Sequence, residues 1–64
     1  MPNIIIEGPK IENIEDKRNF VKEITDITEK YMKIPREHIV ITLKAFPPEN
    51  VAVGGTLIID RRKS

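Results

Sequence analysis

The feature that most constrains this chain is the absence of any possible cross-link in a sequence of only 64 residues. The chain has no cysteine, and its one histidine is His38, so neither a disulfide nor a structural metal site is expected. Below about 70–80 residues a hydrophobic core rarely contributes more than about 3–5 kcal/mol, and small proteins add a disulfide, a metal or further subunits. We therefore expect a single domain, residues 1–64, that forms a homo-oligomer.

The charge balance and the hydropathy argue against several classes of protein. Eleven Lys and Arg residues stand against ten Asp and Glu residues, and the sequence pI is about 8.1, whereas a nucleic-acid-binding domain normally has a pI above about 9. Apolar runs such as Ile4–Ile6 are far shorter than the roughly 20 residues of a membrane span, and no signal peptide is recognisable. We expect a cytoplasmic protein without nucleic-acid or membrane partners. The alternative of a small nucleic-acid binder depends on Arg61, Arg62 and Lys63.

Local signals predict a strand followed by one long helix. The β-branched run Asn3–Ile6 is typical of a strand, and Gly8-Pro9 ends it with a turn. Asn13 is a preferred N-cap residue, and Asp16 three residues later completes a capping signal, so a helix is expected to begin here. Pro35 disfavours helical geometry at the residue before it and predicts the end of the helix, which gives about twenty residues.

The side chains of this helix divide into an apolar stripe and a charged surface. Apolar residues recur at helical spacing and are expected to cover one face of the sheet. Two pairs on the exposed side, Asp26–Lys30 and Glu29–Lys33, have the favourable i,i+4 order and predict ion pairs. The stripe consists of Phe20, Val21, Ile24, Ile27 and Tyr31.

The second half of the chain predicts a further strand and a hairpin. Ile39–Phe46 is rich in β-branched residues and is typical of a strand. Pro47–Asn50 must form a turn, since adjacent prolines cannot join a sheet. Gly54-Gly55 is expected to form the bend of a hairpin between Val51–Val53 and Thr56–Ile59.

The connections between these elements predict the topology. Because a helix links the first two strands, they are expected to be parallel. Their outer edges are open, and open edges invite pairing with another chain. The charged end of the chain, Asp60–Ser64, is expected to fray. The predicted fold class is α/β: a β-α-β unit with a C-terminal β-hairpin, completed by oligomerisation.

Few residues in the sequence have catalytic potential. Ser-His-Asp and Cys-His combinations, a phosphate-binding loop and a dinucleotide-binding motif are all absent, and His38 in its turn is expected to be solvated or to cap the turn. The remaining candidate is Pro2, directly before the first strand. Removal of Met1 would leave Pro2 with a secondary amine. Burial and neighbouring cations lower the pKa of such an amine, and an amine that is neutral near pH 7 suits general base catalysis.

The chain resembles the 4-oxalocrotonate tautomerase family over essentially its whole length. The residues that carry the resemblance keep a common register: Pro2 ahead of the first strand, Asn13 at the start of the helix, Pro35 at its end, and Gly54-Gly55 in the hairpin. The resemblance implies a tautomerase-like fold, a homohexamer and an isomerase that needs no cofactor, with Pro2 as the catalytic general base. The implied reaction is enol–keto proton transfer on a 2-hydroxydienoate or a related α-keto acid.

Three positions depart from the family pattern. The substrate-binding arginines, one after the first strand and one early in the second, correspond here to Glu12 and Val40, and the aromatic residue at the proline corresponds to Val51. Lys10 is therefore predicted to supply the substrate-binding charge. The missing arginines leave open an alternative, a non-catalytic oligomeric binding or assembly module of the same fold. Further candidate cations are Lys44 and, at a basic position of the family, Arg62.

The size of the chain and the resemblance together predict the mass of the assembly. Light scattering on the purified protein is expected to give a mass of about six chains, since closed symmetric oligomers are the usual form of such assemblies. A stable, folded monomer at micromolar concentration would contradict this prediction.

Overall fold

The order of elements along the chain follows the prediction. The computed structural model describes residues 2–61, so Met1 and residues 62–64, which include Arg62 and Lys63, lie outside the described part. None of the described helices is long and apolar enough to cross a bilayer. The main unit consists of β1 (Asn3–Gly8), α1 (Ile14–Met32) and β2 (Val40–Ala45). The shorter elements are β3 (Ala52–Val53), β4 (Thr56–Leu57), α2 (Ile58–Arg61) and 3-10 turns at Arg36–His38 and Pro48–Asn50.

The two longer strands pair in parallel, as predicted. The register runs from Asn3 opposite Val40 to Gly8 opposite Ala45. Exposed and half-buried residues alternate along β1, because successive side chains of a strand point to opposite faces. On the outward face Ile5 and Val40 are 50% and 42% exposed, so one protomer covers only one face of its sheet. The half-buried side consists of Ile4, Ile6, Ile41 and Leu43.

Both ends of α1 have identifiable caps. The Asn13 side chain accepts hydrogen bonds from the backbone N–H groups of Glu15 and Asp16 at 2.8 and 3.1 Å, which confirms the predicted N-cap. The helix ends at Met32, earlier than Pro35 alone indicates, because Lys33 adopts left-handed geometry with φ 56° and ψ 46°. This reversal satisfies a terminal carbonyl group, since the N–H of the capping residue donates to the last turn.

The predicted apolar stripe of α1 is correct in part. Phe20, Val21 and Ile24 are half-buried, and Phe20 lines a cavity together with strand residues. The prediction was wrong for Ile27 and Tyr31, which are 54% and 70% exposed. The orientation of α1 about its own axis instead turns the small Thr28 away from solvent, and this residue is only 9% exposed. Its hydroxyl donates to the Ile24 carbonyl at 2.7 Å, so the polar group needs no partner from the sheet.

One protomer leaves its hydrophobic core incomplete. Among residues 2–61 only Thr28 is buried, and every apolar side chain keeps contact with solvent. The chain exposes 5283 Å², whereas a compact monomer of 7.4 kDa exposes about 4,200 Å². The radius of gyration is 15.2 Å, against about 11 Å for a compact domain of this length. The chain is therefore less compact than a self-contained monomer of this size.

The C-terminal hairpin forms, but its second arm is shorter than predicted. Strands β3 and β4 are antiparallel, and both Gly54 and Gly55 have positive φ, 59° and 85°, as a two-residue type I′ turn requires. The prediction that the arm continues to Ile59 was wrong, since Ile58–Arg61 is helical. The N–H of Ile58 donates to the Val51 carbonyl at 2.8 Å. The residues before Val51, Pro48–Asn50, form a 3-10 turn and so offer no strand partner to Ile59.

The charged surface of α1 is organised by a residue outside the helix. The predicted Asp26–Lys30 and Glu29–Lys33 ion pairs are absent among the described contacts. Asp26 instead pairs with Lys22 at 3.1 Å and with Arg36 at 2.7 Å. Hydrogen bonds from these two cations, that from Arg36 above all, hold the pKa of Asp26 below its ordinary value. The reversal at Lys33 folds the chain back and so places the Arg36 guanidinium beside the helix carboxylates.

The N-cap is expected to contribute measurably to stability. Asn13→Ala should lower the free energy of unfolding by about 1 kcal/mol, because two helix N–H groups lose their acceptor. Asn19→Ala, at an exposed position inside the same helix, serves as the matched control and should stabilise by a few tenths of a kcal/mol. Urea titration followed by circular dichroism, at one protein concentration, measures both. Equal destabilisation by the two variants would contradict the role of the cap.

The lowered pKa of Asp26 predicts a sensitivity to acid. The carboxylate contributes stability that is fully present above the ordinary Asp pKa of about 3.9 and is lost as the pH falls through the lowered folded value. The wild-type protein should therefore lose more stability than Asp26→Asn when the pH is lowered from about 5 to about 2. Glu23→Gln, which removes an exposed carboxylate with no ion pair among residues 2–61, should keep the wild-type slope. Identical pH slopes for wild type and Asp26→Asn would contradict the prediction.

Candidate functional site

Pro2 is held in place at the start of the parallel pair. Its carbonyl accepts a hydrogen bond from the N–H of Val40 at 3.1 Å, and the residue is half-buried. While Met1 is attached, proline has no backbone N–H, and the carbonyl is the backbone group that can fix it. Many chain termini fray unless a sheet holds them, and this contact provides such an attachment one residue ahead of β1.

The register of the parallel pair determines which residues come next to Pro2. Asn3 lies opposite Val40 in the register, so Ile39, the residue before β2, comes next to Pro2. The turn Arg36–His38 directly precedes Ile39. The Val40 position, where the family resemblance implies an arginine, presents an apolar side chain here. His38 is exposed in this turn, in agreement with the expected solvated side chain.

Three cavities lie at the opposite end of the strands, around Gly8-Pro9. The largest, about 490 Å³, has mostly apolar walls, which include Phe46, Val51 and Ile58. A second, about 340 Å³, lies between α1 and the strand ends and is lined by Lys10 and Lys17 among others. The third cavity, about 360 Å³, is lined by Pro9, Lys10, Glu12, Ala45, Phe46, Pro47 and Pro48.

The structure thus brings several of the predicted site positions together, but without Pro2. Lys10 and Glu12 border one cavity, and Val51 borders the neighbouring one. Pro2 lies directly before β1, whereas the cavities are lined by residues from Ile6 onward, and Lys10 follows the end of the strand. The six residues of strand from Pro2 to Gly8 span about 20 Å. A lysine side chain does not span that distance. Within one protomer Lys10 therefore does not reach Pro2, and the two can meet only between protomers.

The other candidate cations were Lys44 and Arg62. Lys44 is exposed near the end of β2 and borders the second cavity together with Lys10 and Lys17. Arg62 lies outside the described residues. Among residues 2–61, no three His, Asp or Glu side chains converge as metal ligands would.

Sequence reasoning missed two residues at the cavities and one near Pro2. Lys17 is half-buried and borders the second cavity; its i,i+3 and i,i+7 spacing to Phe20 and Ile24 was the available signal. Phe46 borders the largest and the third cavity, where only a strand end was predicted. Arg36 carried no local signal, since its partners lie seven and ten residues earlier.

Comparison with known proteins identifies the fold over the whole described chain. A family model described as tautomerase enzyme matches residues 2–61. A crystal structure of DmpI from Archaeoglobus fulgidus is 39% identical, with a TM-score of 0.83, and the match covers 92% of this chain and 100% of that one. No curated protein matches.

Two more distant structures share the fold. TomN, a 4-oxalocrotonate tautomerase homologue in a tomaymycin biosynthetic pathway, has a TM-score of 0.89 at 22% identity, with 98% of this chain and 97% of that chain covered. A 4-oxalocrotonate tautomerase isozyme from Methylibium petroleiphilum has a TM-score of 0.86 at 22% identity, with 97% of each chain covered. With the family model spanning β1 to α2 and a 39% identical homologue, the chain belongs to the tautomerase family.

Proposed function

We propose that this protein is a cofactor-independent tautomerase in which Pro2, after removal of Met1, is the general base. The observation that carries the proposal is the attachment of Pro2 to β2 through the Val40 N–H, at the start of a strand in a chain of this family. A base must be held within hydrogen-bond reach of the proton that it abstracts. A proline fixed at its carbonyl, with a rigid ring, meets this requirement better than a frayed terminus.

The proposed reaction is a proton transfer between oxygen and carbon of an enol. The neutral amine of Pro2 takes the hydroxyl proton of a 2-hydroxydienoate or related α-keto acid enol and becomes an ammonium group. The resulting dienolate is conjugated, so the ammonium group can return a proton to the carbon two or four atoms away from the enol oxygen. This step regenerates the amine. Nothing is oxidised or reduced, and the product is the keto isomer. Half-burial of Pro2 favours the neutral form of the amine, because desolvation lowers the pKa of an amine.

A complete site requires more than one protomer. Pro2 lies at one end of the parallel pair, and the apolar cavity beside Val51 lies at the other end. We propose that in the homohexamer the cavity end of a neighbouring chain faces Pro2, so that the substrate lies between two subunits. The open sheet edges and the incomplete core of the single chain support such an assembly. Lys10 of the neighbour would then supply a positive charge for the substrate carboxylate.

The alternative is an oligomeric binding or assembly module without catalysis. It is favoured by one observation, the presence of Glu12 and Val40 where the family resemblance implies substrate-binding arginines. The developing oxyanion of a tautomerisation needs positively charged or hydrogen-bonding groups. The alternative and the enzyme therefore differ in whether Lys10 can replace that charge.

The role of Pro2 predicts distinct activities for three forms of the protein. The form without Met1 should ketonise phenylenolpyruvate or 2-hydroxymuconate. Pro2→Ala should be at least about tenfold slower, which is only about 1.4 kcal/mol of barrier. A form that keeps Met1 should be at background, because its Pro2 nitrogen is an amide without a basic lone pair. Mass spectrometry of the N-terminus followed by a spectrophotometric assay measures these values.

Two other results of this assay would contradict the role of Pro2 or the enzymatic function. Equal activity in all three forms would remove Pro2 from the mechanism. Absence of activity in every form, with folding and assembly intact, would favour the binding module.

The proposed role of Lys10 predicts a charge-specific loss of activity. Lys10→Ala should lower kcat/KM for 2-hydroxymuconate about tenfold, since a hydrogen bond to a charged group contributes roughly 1.5–3 kcal/mol and this lysine is exposed. Lys30→Ala is the charge-matched control, because Lys30 lies in the last turn of α1 and contacts the Tyr31 ring at 5.1 Å. Activity that is typical of arginine-bearing relatives and unaffected by Lys10→Ala would show that another residue supplies the charge.

A further inference from the structure

Arg36 joins the C-terminal half of α1 to the turn that leads into β2. Its Nη2 donates to Asp26 Oδ1 at 2.7 Å, and its Nη1 and backbone N–H donate to the Glu29 carboxylate at 3.4 and 3.2 Å. These partners belong to a different element from Arg36. By contrast, the Arg18–Glu15 and Lys22–Asp26 pairs stay within the helix. The Arg36 contacts, named here the Arg36 bridge, therefore fix the position of the 3-10 turn relative to α1.

The segment under the Arg36 bridge contains a residue in an unfavourable backbone conformation. Lys33 lies in the left-handed region, which is unfavourable for a non-glycine residue because Cβ comes too close to the following carbonyl oxygen. Its N–H donates to the Glu29 carbonyl at 2.9 Å, while the Glu29 carboxylate accepts from Arg36. Glu29 thus holds the reversal through both its backbone and its side chain. Loss of the guanidinium contacts would leave this reversal with two hydrogen bonds to Glu29, one from the Lys33 N–H to its carbonyl and one from the Arg36 N–H to its carboxylate.

Two backbone hydrogen bonds connect the Arg36 bridge to Pro2. The N–H of Ile39 donates to the Arg36 carbonyl at 3.1 Å, and the N–H of the next residue, Val40, donates to the Pro2 carbonyl at 3.1 Å. A shift of the turn therefore moves the donor that holds Pro2. The amine of Pro2 is the proposed base and must stay available to the substrate, so the carbonyl is the group through which the strand can hold this residue.

We propose that Arg36 is a positioning residue for Pro2: by holding the 3-10 turn against Asp26 and Glu29, it fixes the Val40 N–H and thereby the direction of the Pro2 ring. The inference rests on the proposed function, because it gives Pro2 the role of the base. The planar guanidinium reaches two carboxylates at once, which the single ammonium group of lysine does not reproduce. Since the Arg36 side chain is 43% exposed, the effect of its loss should be moderate.

Hydrogen exchange of the Val40 amide in the assembled, Met1-free protein tests the Arg36 bridge without any enzyme assay. Arg36→Ala should speed this exchange about threefold to tenfold, through more frequent local opening. Lys22→Ala is the matched control, because it removes an ion pair from the same Asp26 and leaves the turn contacts intact; Val40 should stay within about twofold. Unchanged Val40 exchange in assembled Arg36→Ala overturns the proposal. If Arg36→Ala fails to assemble, Arg36→Lys, which keeps the positive charge but loses the planar guanidinium, takes its place. Unchanged Val40 exchange in that variant would then overturn the proposal.

Kinetics and the titration of the Pro2 amine test the positioning role. Arg36→Ala should lower kcat about threefold to tenfold with KM within about twofold, and nuclear magnetic resonance should show the pKa of the Pro2 amine moving toward the ordinary α-amino value. Arg36→Lys should recover part of the loss, and Lys22→Ala should match wild type.

Failure of the positioning role of Arg36 can be distinguished from failure of the proposed tautomerase function. An active wild type whose kcat and Pro2 titration are both unchanged by Arg36→Ala overturns the positioning role and leaves the proposed function standing. A wild type without tautomerase activity refutes the proposed function instead. The amine titration then decides the positioning role alone: a shift in Arg36→Ala supports it, and no shift overturns it.

Discussion

The parallel pairing of β1 with β2 is the interaction on which the rest of the structure depends. Backbone hydrogen bonds extend it beyond the strands at both ends, from Val40 to the Pro2 carbonyl and from Phe46 to the Gly8 carbonyl, at 3.1 and 3.0 Å. Parallel strands need a crossover connection, and α1 fills that role while it covers one face of the pair. The same pairing therefore sets the sheet, the place of the helix and the distance between Pro2 and the cavities.

The incomplete core follows from this architecture at this chain length. A two-stranded sheet with one helix can cover only one of its faces, and even the covered face retains contact with solvent. A chain without cysteine has no disulfide to compensate for this deficit. The outward face with Ile5 and Val40 and the apolar hairpin are surfaces that further subunits could bury. Stability and completion of the proposed site thus make the same demand, which is contact between chains.

Local signals predicted the elements, whereas the errors arose where distant residues decide. The N-cap at Asn13 and the glycine turn could be read from the sequence because each depends on a few neighbouring residues. The exposure of Tyr31 and the helical geometry of Ile58–Arg61 depend on how α1 and the hairpin meet other elements. Arg36 contacts carboxylates on a preceding element, so no i,i+4 rule indicates it.

The candidate site likewise has features that local sequence predicts and features that depend on the three-dimensional arrangement. The place of Pro2 beside the second strand follows from its position one residue ahead of a predicted strand. The separation of Pro2 from Lys10 follows from the length and parallel pairing of β1, which residue types do not reveal. The proposed role of Pro2 comes from the family resemblance, and the geometry of a single chain supplies only its attachment to Val40.

The charges around the cavities narrow the chemistry that the proposed enzyme can perform. Lys10 and Glu12 border the same cavity, so the positive charge of one is offset by the negative charge of the other. A second carboxylate on a substrate would find no other lysine or arginine lining this cavity, whereas the second cavity adds Lys17 and Lys44. The adjacent walls, formed by Phe46, Val51 and Ile58, suit an apolar group instead. Within the proposed function, an enol with one carboxylate and an apolar body therefore fits the largest and the third cavity, and a second carboxylate would need the lysines of the second cavity.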